Sequence, residues 1–142
     1  MGKVRKKLKL HVKVIGDLTK ALPMKARLVC ADNTGAKVLE IVTVKGYKGR
    51  KKRLAKASIG DMVLASVKVG APDIKKQIVS AIVIRQKKEI RRVDGSRIKF
   101  ADNAAVIVTE DGAMKGTEIR GPIAREASQK WSGLAGAAKV VV

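Results

Sequence analysis

Few residues in this chain could make or break bonds. His11 is the only histidine and Cys30 the only cysteine among 142 residues. A Ser-His-Asp or Cys-His relay needs a base set beside its nucleophile, and His11 stands inside a lysine-rich N-terminal stretch with no such partner nearby. With one His and one Cys, no zinc ligand set can assemble within the chain. A lone cysteine also rules out an intrachain disulfide and fits a reducing cytosol. Gly46-Tyr47-Lys48-Gly49-Arg50-Lys51 superficially resembles a phosphate-binding loop, but it lacks the required spacing and the Ser or Thr after the lysine. Its glycines let a basic loop turn tightly while Arg50, Lys51, Lys52 and Arg53 face phosphates. Asp32, Asp61 and Asp94 fall at expected turns, where a carboxylate bonds its own backbone, and they form no pair suited to acid–base work. Cys30 lies in an apolar run and reads as a buried, inert thiol. The chemistry therefore points away from an enzyme, with no cofactor, no metal and no small-molecule substrate.

What the chain has in abundance is positive charge, with 32 lysines and arginines against 12 aspartates and glutamates, a formal net charge of +20. Three segments, Lys3 to Lys13, Lys45 to Lys56 and Arg85 to Lys99, hold 20 of those 32. Charge this dense repels itself in a compact state unless phosphates neutralise it. The only aromatics are Tyr47, Phe100 and Trp131, whereas capture of unpaired bases depends on aromatic platforms. The expected partner is thus a folded nucleic acid read through its backbone and shape. No apolar stretch approaches the ~20 residues of a membrane helix, so no membrane partner is expected.

The elements that must position these charges can be read from hydrophobic periodicity. Residues 1–24 alternate basic and apolar side chains and read as a basic arm that orders on its partner. From Ala26 onward, short β-branched runs predict strands over 26–31, 38–44, 62–69, 78–85, 98–100 and 104–109. Several runs are apolar on both faces, as in a small closed barrel whose outside is partly covered. Arg85 to Val93, the Asp94-Gly95 turn and Ser96 to Phe100 read as a basic two-stranded ribbon projecting from the barrel. Gly121-Pro122 predicts a helix start, with Ile123, Ala127 and Trp131 on one face, and a second short helix is expected from Leu134 to about Lys139. The expected organisation is one mainly β domain: arm 1–24, a five-stranded barrel with its basic hairpin (about 85–100) over 25–116, and a small C-terminal helical lobe over 117–142. Trp131 reads as a core anchor of that lobe.

Ordered sequence blocks carry a resemblance. Ala81-Ile82-Val83-Ile84 is followed by Asp94-Gly95, Phe100, Asn103 and Val106-Ile107 at a spacing that resembles the signature of the ribosomal protein L-fourteen family. Val29 to Ala36, Ser58-Ile59-Gly60-Asp61, and Gly116-Thr117 with Arg120 to Glu126 resemble it too. Gly46 to Arg53 and the basic N-terminal extension resemble the archaeal and eukaryotic branch. The resemblance implies a five-stranded barrel with a protruding hairpin and a helical lobe, and a structural role in the large ribosomal subunit, in the cytoplasm. It implies binding of large-subunit rRNA at the intersubunit face, bridges to small-subunit rRNA, contacts with neighbouring large-subunit proteins, and a docking surface for an anti-association factor of the initiation-factor-six type. Carried to this sequence, Arg85, Lys87, Lys88, Arg91, Arg92 and Arg97 of the ribbon would contact rRNA. The loop residues Lys48, Arg50, Lys51, Lys52 and Arg53, and Arg120 and Arg125, are further candidates. Lys3, Arg5, Lys6, Lys7 and Lys9 of the arm are candidate contacts to RNA or to a protein neighbour. Exposed ribbon charges add little to folding, so Arg91→Ala and Arg92→Ala are expected to leave melting almost unchanged.

Overall fold

A computed structural model describes residues 18–142; the arm residues Lys3 to Lys9 lie outside them. In chain order the strands are β1 (Leu22–Pro23), β2 (Arg27–Cys30), β3 (Ala36–Val44), β4 (Lys56–Ala57), β5 (Met62–Gly70), β6 (Ile78–Arg85), β7 (Ile90–Arg91), β8 (Arg97–Ile98), β9 (Ala104–Val108) and β10 (Ile119–Ile123). Helices α1 (Arg125–Lys130) and α2 (Ser132–Ala137) follow, and then β11 (Ala138–Val141).

The barrel closes in the order β2-β3-β5-β6-β9. Neighbours are antiparallel except at the seam, where β9 pairs parallel with β2 through Val29↔Ala104 and Cys30↔Ala105. Its lumen is filled by Leu28, Leu39, Ile41, Val63, Val67, Ala81, Val83 and Ile107, all at most 1% exposed. The other faces of β6 and β9 are buried too. Ile82, Ile84 and Val106 point outward into a second apolar cluster with Ile119, Ile123, Ala127 and Leu134 of the C-terminal segment. This two-sided burial is why these strands read as continuous apolar runs instead of alternating ones. Three register shifts between β3 and β5 let these long strands coil around the small lumen.

Two expected elements differ. Pro122 does not open a helix: it lies in β10, which pairs parallel with β11 across a register shift between Ile119 and Pro122. Helix α1 begins three residues later, and α2 stops at Ala137 because the β-branched Val140 and Val141 extend as a strand. The C-terminal lobe is therefore a mixed unit of two short helices and a two-stranded sheet. The ribbon ladder is also shorter than its sequence suggests, with only Ile90↔Ile98 and Arg91↔Arg97 paired. Its base is drawn into the protein. Ile90 is fully buried, and the Gln86 side-chain amide donates to the carbonyls of Thr19 and Lys88 at 3.1 and 3.0 Å. The turn matches its chemistry. Asp94 accepts the Ser96 N–H at 2.9 Å, Gly95 takes φ +87, and the Ser96 hydrogen bonds hold the Asp94 carboxyl below its ordinary range.

Gly121 is required where it stands. Its φ is +80, and a Cβ there would lie 2.6 Å from Nη1 of Arg85. Gly121→Ala is expected to cost about 1–3 kcal/mol of stability, read as a lowered urea midpoint; an unchanged midpoint would mean that this corner can relax.

Candidate nucleic-acid interface

The strand directions sort the connections onto two ends of the barrel. β3 and β6 finish, and β5 and β9 begin, at one end, which therefore gathers residues 18–26, 45–61 and 86–103. Those segments carry 15 lysines and arginines against four carboxylates. Residues 31–35, 71–77 and 109–118 leave the opposite end and carry three against five. Segments distant in sequence thus meet in one basic pole, and the barrel is electrically polarised along its axis.

The loop cations Lys48, Arg50, Lys51, Lys52 and Arg53 are all exposed at this pole. A short pair of strands returns their loop to the barrel: β4 pairs with β1 through Leu22↔Ala57 and Pro23↔Lys56. Within the loop Arg53 N–H donates to the Arg50 carbonyl at 3.0 Å, and Lys52 sits at φ +66, so successive basic side chains fan outward. Lys87, Lys88, Arg91 and Arg97 of the ribbon are exposed as well. Arg97 pairs with Glu89 at 2.8 Å, a solvated contact worth only ~0–1 kcal/mol that phosphate can displace. Arg125 is exposed at the start of α1 and close enough to Asp94 to lower its pKa, so it joins the ribbon tip. Arg120, also exposed, lies further down β10, its N–H donating to the Ala31 carbonyl at 2.7 Å.

Arg85 and Arg92 are arranged differently, and the structure corrects the expectation that both are free ribbon cations. Arg85 is 7% exposed. Its guanidinium donates to both oxygens of Asp102 at 2.9 and 3.2 Å and to the carbonyls of Arg120 and Pro122 at 2.9 and 2.8 Å. It pins the ribbon's base to β10. Arg92 donates to Glu126 of α1 at 2.7 Å and to the Val142 carbonyl at 2.6 Å, and Glu126 is itself buried. Both guanidiniums are committed to the protein, so neither belongs to the solvent-facing cation set. Their role is to hold the ribbon against the lobe so that Lys87, Lys88, Arg91 and Arg125 keep fixed relative positions.

The remaining polar groups are structural. Asp32 accepts from Thr34 Oγ1 at 2.6 Å, the local turn bond expected for it, and also from the Ile107 N–H at 2.7 Å, where it extends the β2–β9 seam. The second bond links residues 75 apart, and local sequence holds no signal for it. Asp61 accepts the Ser58 N–H at 2.9 Å. Trp131 donates from Nε1 to the Gly60 carbonyl at 2.8 Å and packs its ring on Gly112, as expected of an anchor. No cluster of three metal-ligating side chains occurs among the described residues, nor does any helix there have the length and apolarity to cross a membrane.

Burial, reinforced by the hydrogen bond to Asp32, pushes the Cys30 thiol up from 9.0 to about 12. The native state then keeps its proton where the unfolded chain has lost it, so this stability is present below pH 9 and declines as pH rises toward 12. At pH 10 unfolding should be easier by about 1 kcal/mol on this account. Urea melts at pH 8 and 10 check it, since Cys30→Ala should remove that part of the pH dependence; an identical dependence in the variant would contradict it.

The family described as ribosomal protein L14p/L23e matches residues 21–142. Large ribosomal subunit protein uL14 of Methanococcus maripaludis is 54% identical over 125 residues, covering 88% of this chain and 95% of that protein. The Methanococcus vannielii protein of the same name is 53% identical over 124 residues, covering 87% and 94%. A match over the barrel and lobe together with relatives of archaeal origin settles the family: the chain belongs to the ribosomal protein L14p/L23e family, in its archaeal form, a family of structural, non-enzymatic proteins.

Proposed function

We propose that the basic pole docks the protein onto large-subunit rRNA, with the 45–56 loop and the ribbon straddling folded RNA and neutralising phosphates brought close together there. The chain is a structural constituent of the large subunit of the cytoplasmic ribosome and acts in translation. The observation that carries the rRNA reading is the polarity of the barrel, fifteen cations against four carboxylates at one end. On this reading Lys48, Arg50, Lys51, Lys52, Arg53, Lys87, Lys88, Arg91 and Arg97 contact phosphates, with Arg125 at the ribbon tip and Arg120 at the margin. Arg85 and Arg92 position the ribbon. The arm residues Lys3, Arg5, Lys6, Lys7 and Lys9 add contacts to RNA or to a neighbouring protein.

We infer that bridges to small-subunit rRNA, contacts with neighbouring large-subunit proteins and docking of an anti-association factor complete the role. Family membership supports these, and so does the outer edge of β11, which among the described residues pairs only with β10 and exposes Val140 and Val141. Mass spectrometry of the protein across a sucrose gradient of cell lysate, at low and moderate salt, tests the assignment. Co-sedimentation with large subunits in stoichiometric amount is expected; recovery in nucleoid or light fractions would favour an architectural DNA binder.

A further inference from the structure

The 45–56 loop at the basic pole carries an exposed apolar side chain. Leu54 is 67% exposed among the loop cations. With Lys20, Tyr47, Lys48, Arg53 and Lys56 it lines a groove of about 360 Å³, at the lower end of the size range of small-ligand sites. Among the described residues the lining holds four cations and no carboxylate, so an anion is the ligand its electrostatics favour. Its aromatic wall is rigidly built. Tyr47 packs against the lumen cluster, its hydroxyl donates to the Leu54 carbonyl at 3.4 Å, and the backbone of Gly49 lies so close to the ring that a Cβ there would be 2.7 Å from Cε1. Lys20 Nζ already sits 5.4 Å from the ring centroid, which marks that face as reachable. Phe100 and Trp131 are packed against the outer cluster instead.

We infer that this groove holds one unstacked nucleotide of the RNA, its base between Tyr47 and Leu54 and its phosphate on Lys48, Arg53 and Lys56. The inference rests on the rRNA-binding reading above and refines it: a protein poor in aromatics uses one of them for a single base. Cations alone would account for phosphate capture; an exposed leucine lining the same groove as a packed tyrosine is what calls for a flat apolar group.

The test uses the full chain, a single-stranded oligoribonucleotide containing 2-aminopurine, and a blunt RNA duplex of equal length. The unaltered protein should quench the 2-aminopurine on binding. Tyr47→Leu and Leu54→Ala should each weaken single-strand affinity by about tenfold or more and relieve the quench, with duplex affinity retained, while Tyr47→Phe keeps both. If Tyr47→Leu disturbs the loop itself, both RNAs weaken together, and the solvent-exposed Leu54→Ala then decides alone. Unchanged affinity and quench in Leu54→Ala would overturn the nucleotide site while leaving phosphate docking intact. Failure of the unaltered protein to bind either RNA would instead overturn the rRNA reading.

Discussion

Arg85→Ala and Arg92→Ala are each expected to lower the unfolding free energy by about 3 kcal/mol, whereas Arg91→Ala changes it by less than about 0.5 kcal/mol. The contrast follows from partners. Removing Arg85 leaves the carbonyls of Arg120 and Pro122 without their donors and Asp102 without its fork. Asp102 is partly solvated and regains water, so the two carbonyls account for most of the loss. Removing Arg92 strands the Glu126 carboxylate, whose side chain is only 9% exposed, without its charged partner. Arg85→Lys restores charge but not the fork geometry and should recover only part of the stability. Urea denaturation of the four variants measures this directly. An Arg85→Ala protein that melts like its parent while losing RNA affinity would place the guanidinium on phosphate and contradict the positioning role.

Replacing Arg50, Lys51, Lys52 and Arg53 together by Ala should have the largest effect on binding. If these side chains contact about four phosphates, the slope of log affinity against log salt becomes shallower by about 3–4 for duplex RNA, and affinity at low salt falls by roughly a hundredfold or more. Stability should hardly change, because all four are exposed and make no side-chain ion pairs among the described residues. The control is Lys75→Ala, Lys76→Ala and Lys115→Ala together, which removes all three cations of the opposite-end segments. A similar change of slope in both proteins would mean that net charge, not a placed pole, drives association.

The barrel was legible because its signals are local. The runs at 62–69, 78–85 and 104–109 are too short and too rich in β-branched residues for helices, and Asp94-Gly95 announces its own turn. One histidine and one cysteine already pointed away from an enzyme, in line with the structural family the chain belongs to. The commitment of Arg85 was not, since nothing adjacent separates it from Lys87. Its partners arrive 17 to 37 residues later, and the only hint was that it continues the apolar run of β6. The helix expected at Pro122 failed for a similar reason, because Gly121 serves the approach of Arg85 and β10 finds its partner in β11 at the end of the chain. The basic pole is a property of strand order. The three charge clusters were visible in sequence, but Lys20 and Lys25 join the second and third only because β3 and β6 end where β2 begins.

Ultraviolet cross-linking of the protein to large-subunit rRNA, with the linked peptides identified by mass spectrometry, tests the polarity account most directly. Cross-links concentrated in residues 45–56 and 86–103, and absent from 71–77 and 109–118, are the expected result. Cross-links spread evenly over both ends, or gathered at 71–77 and 109–118, would contradict it.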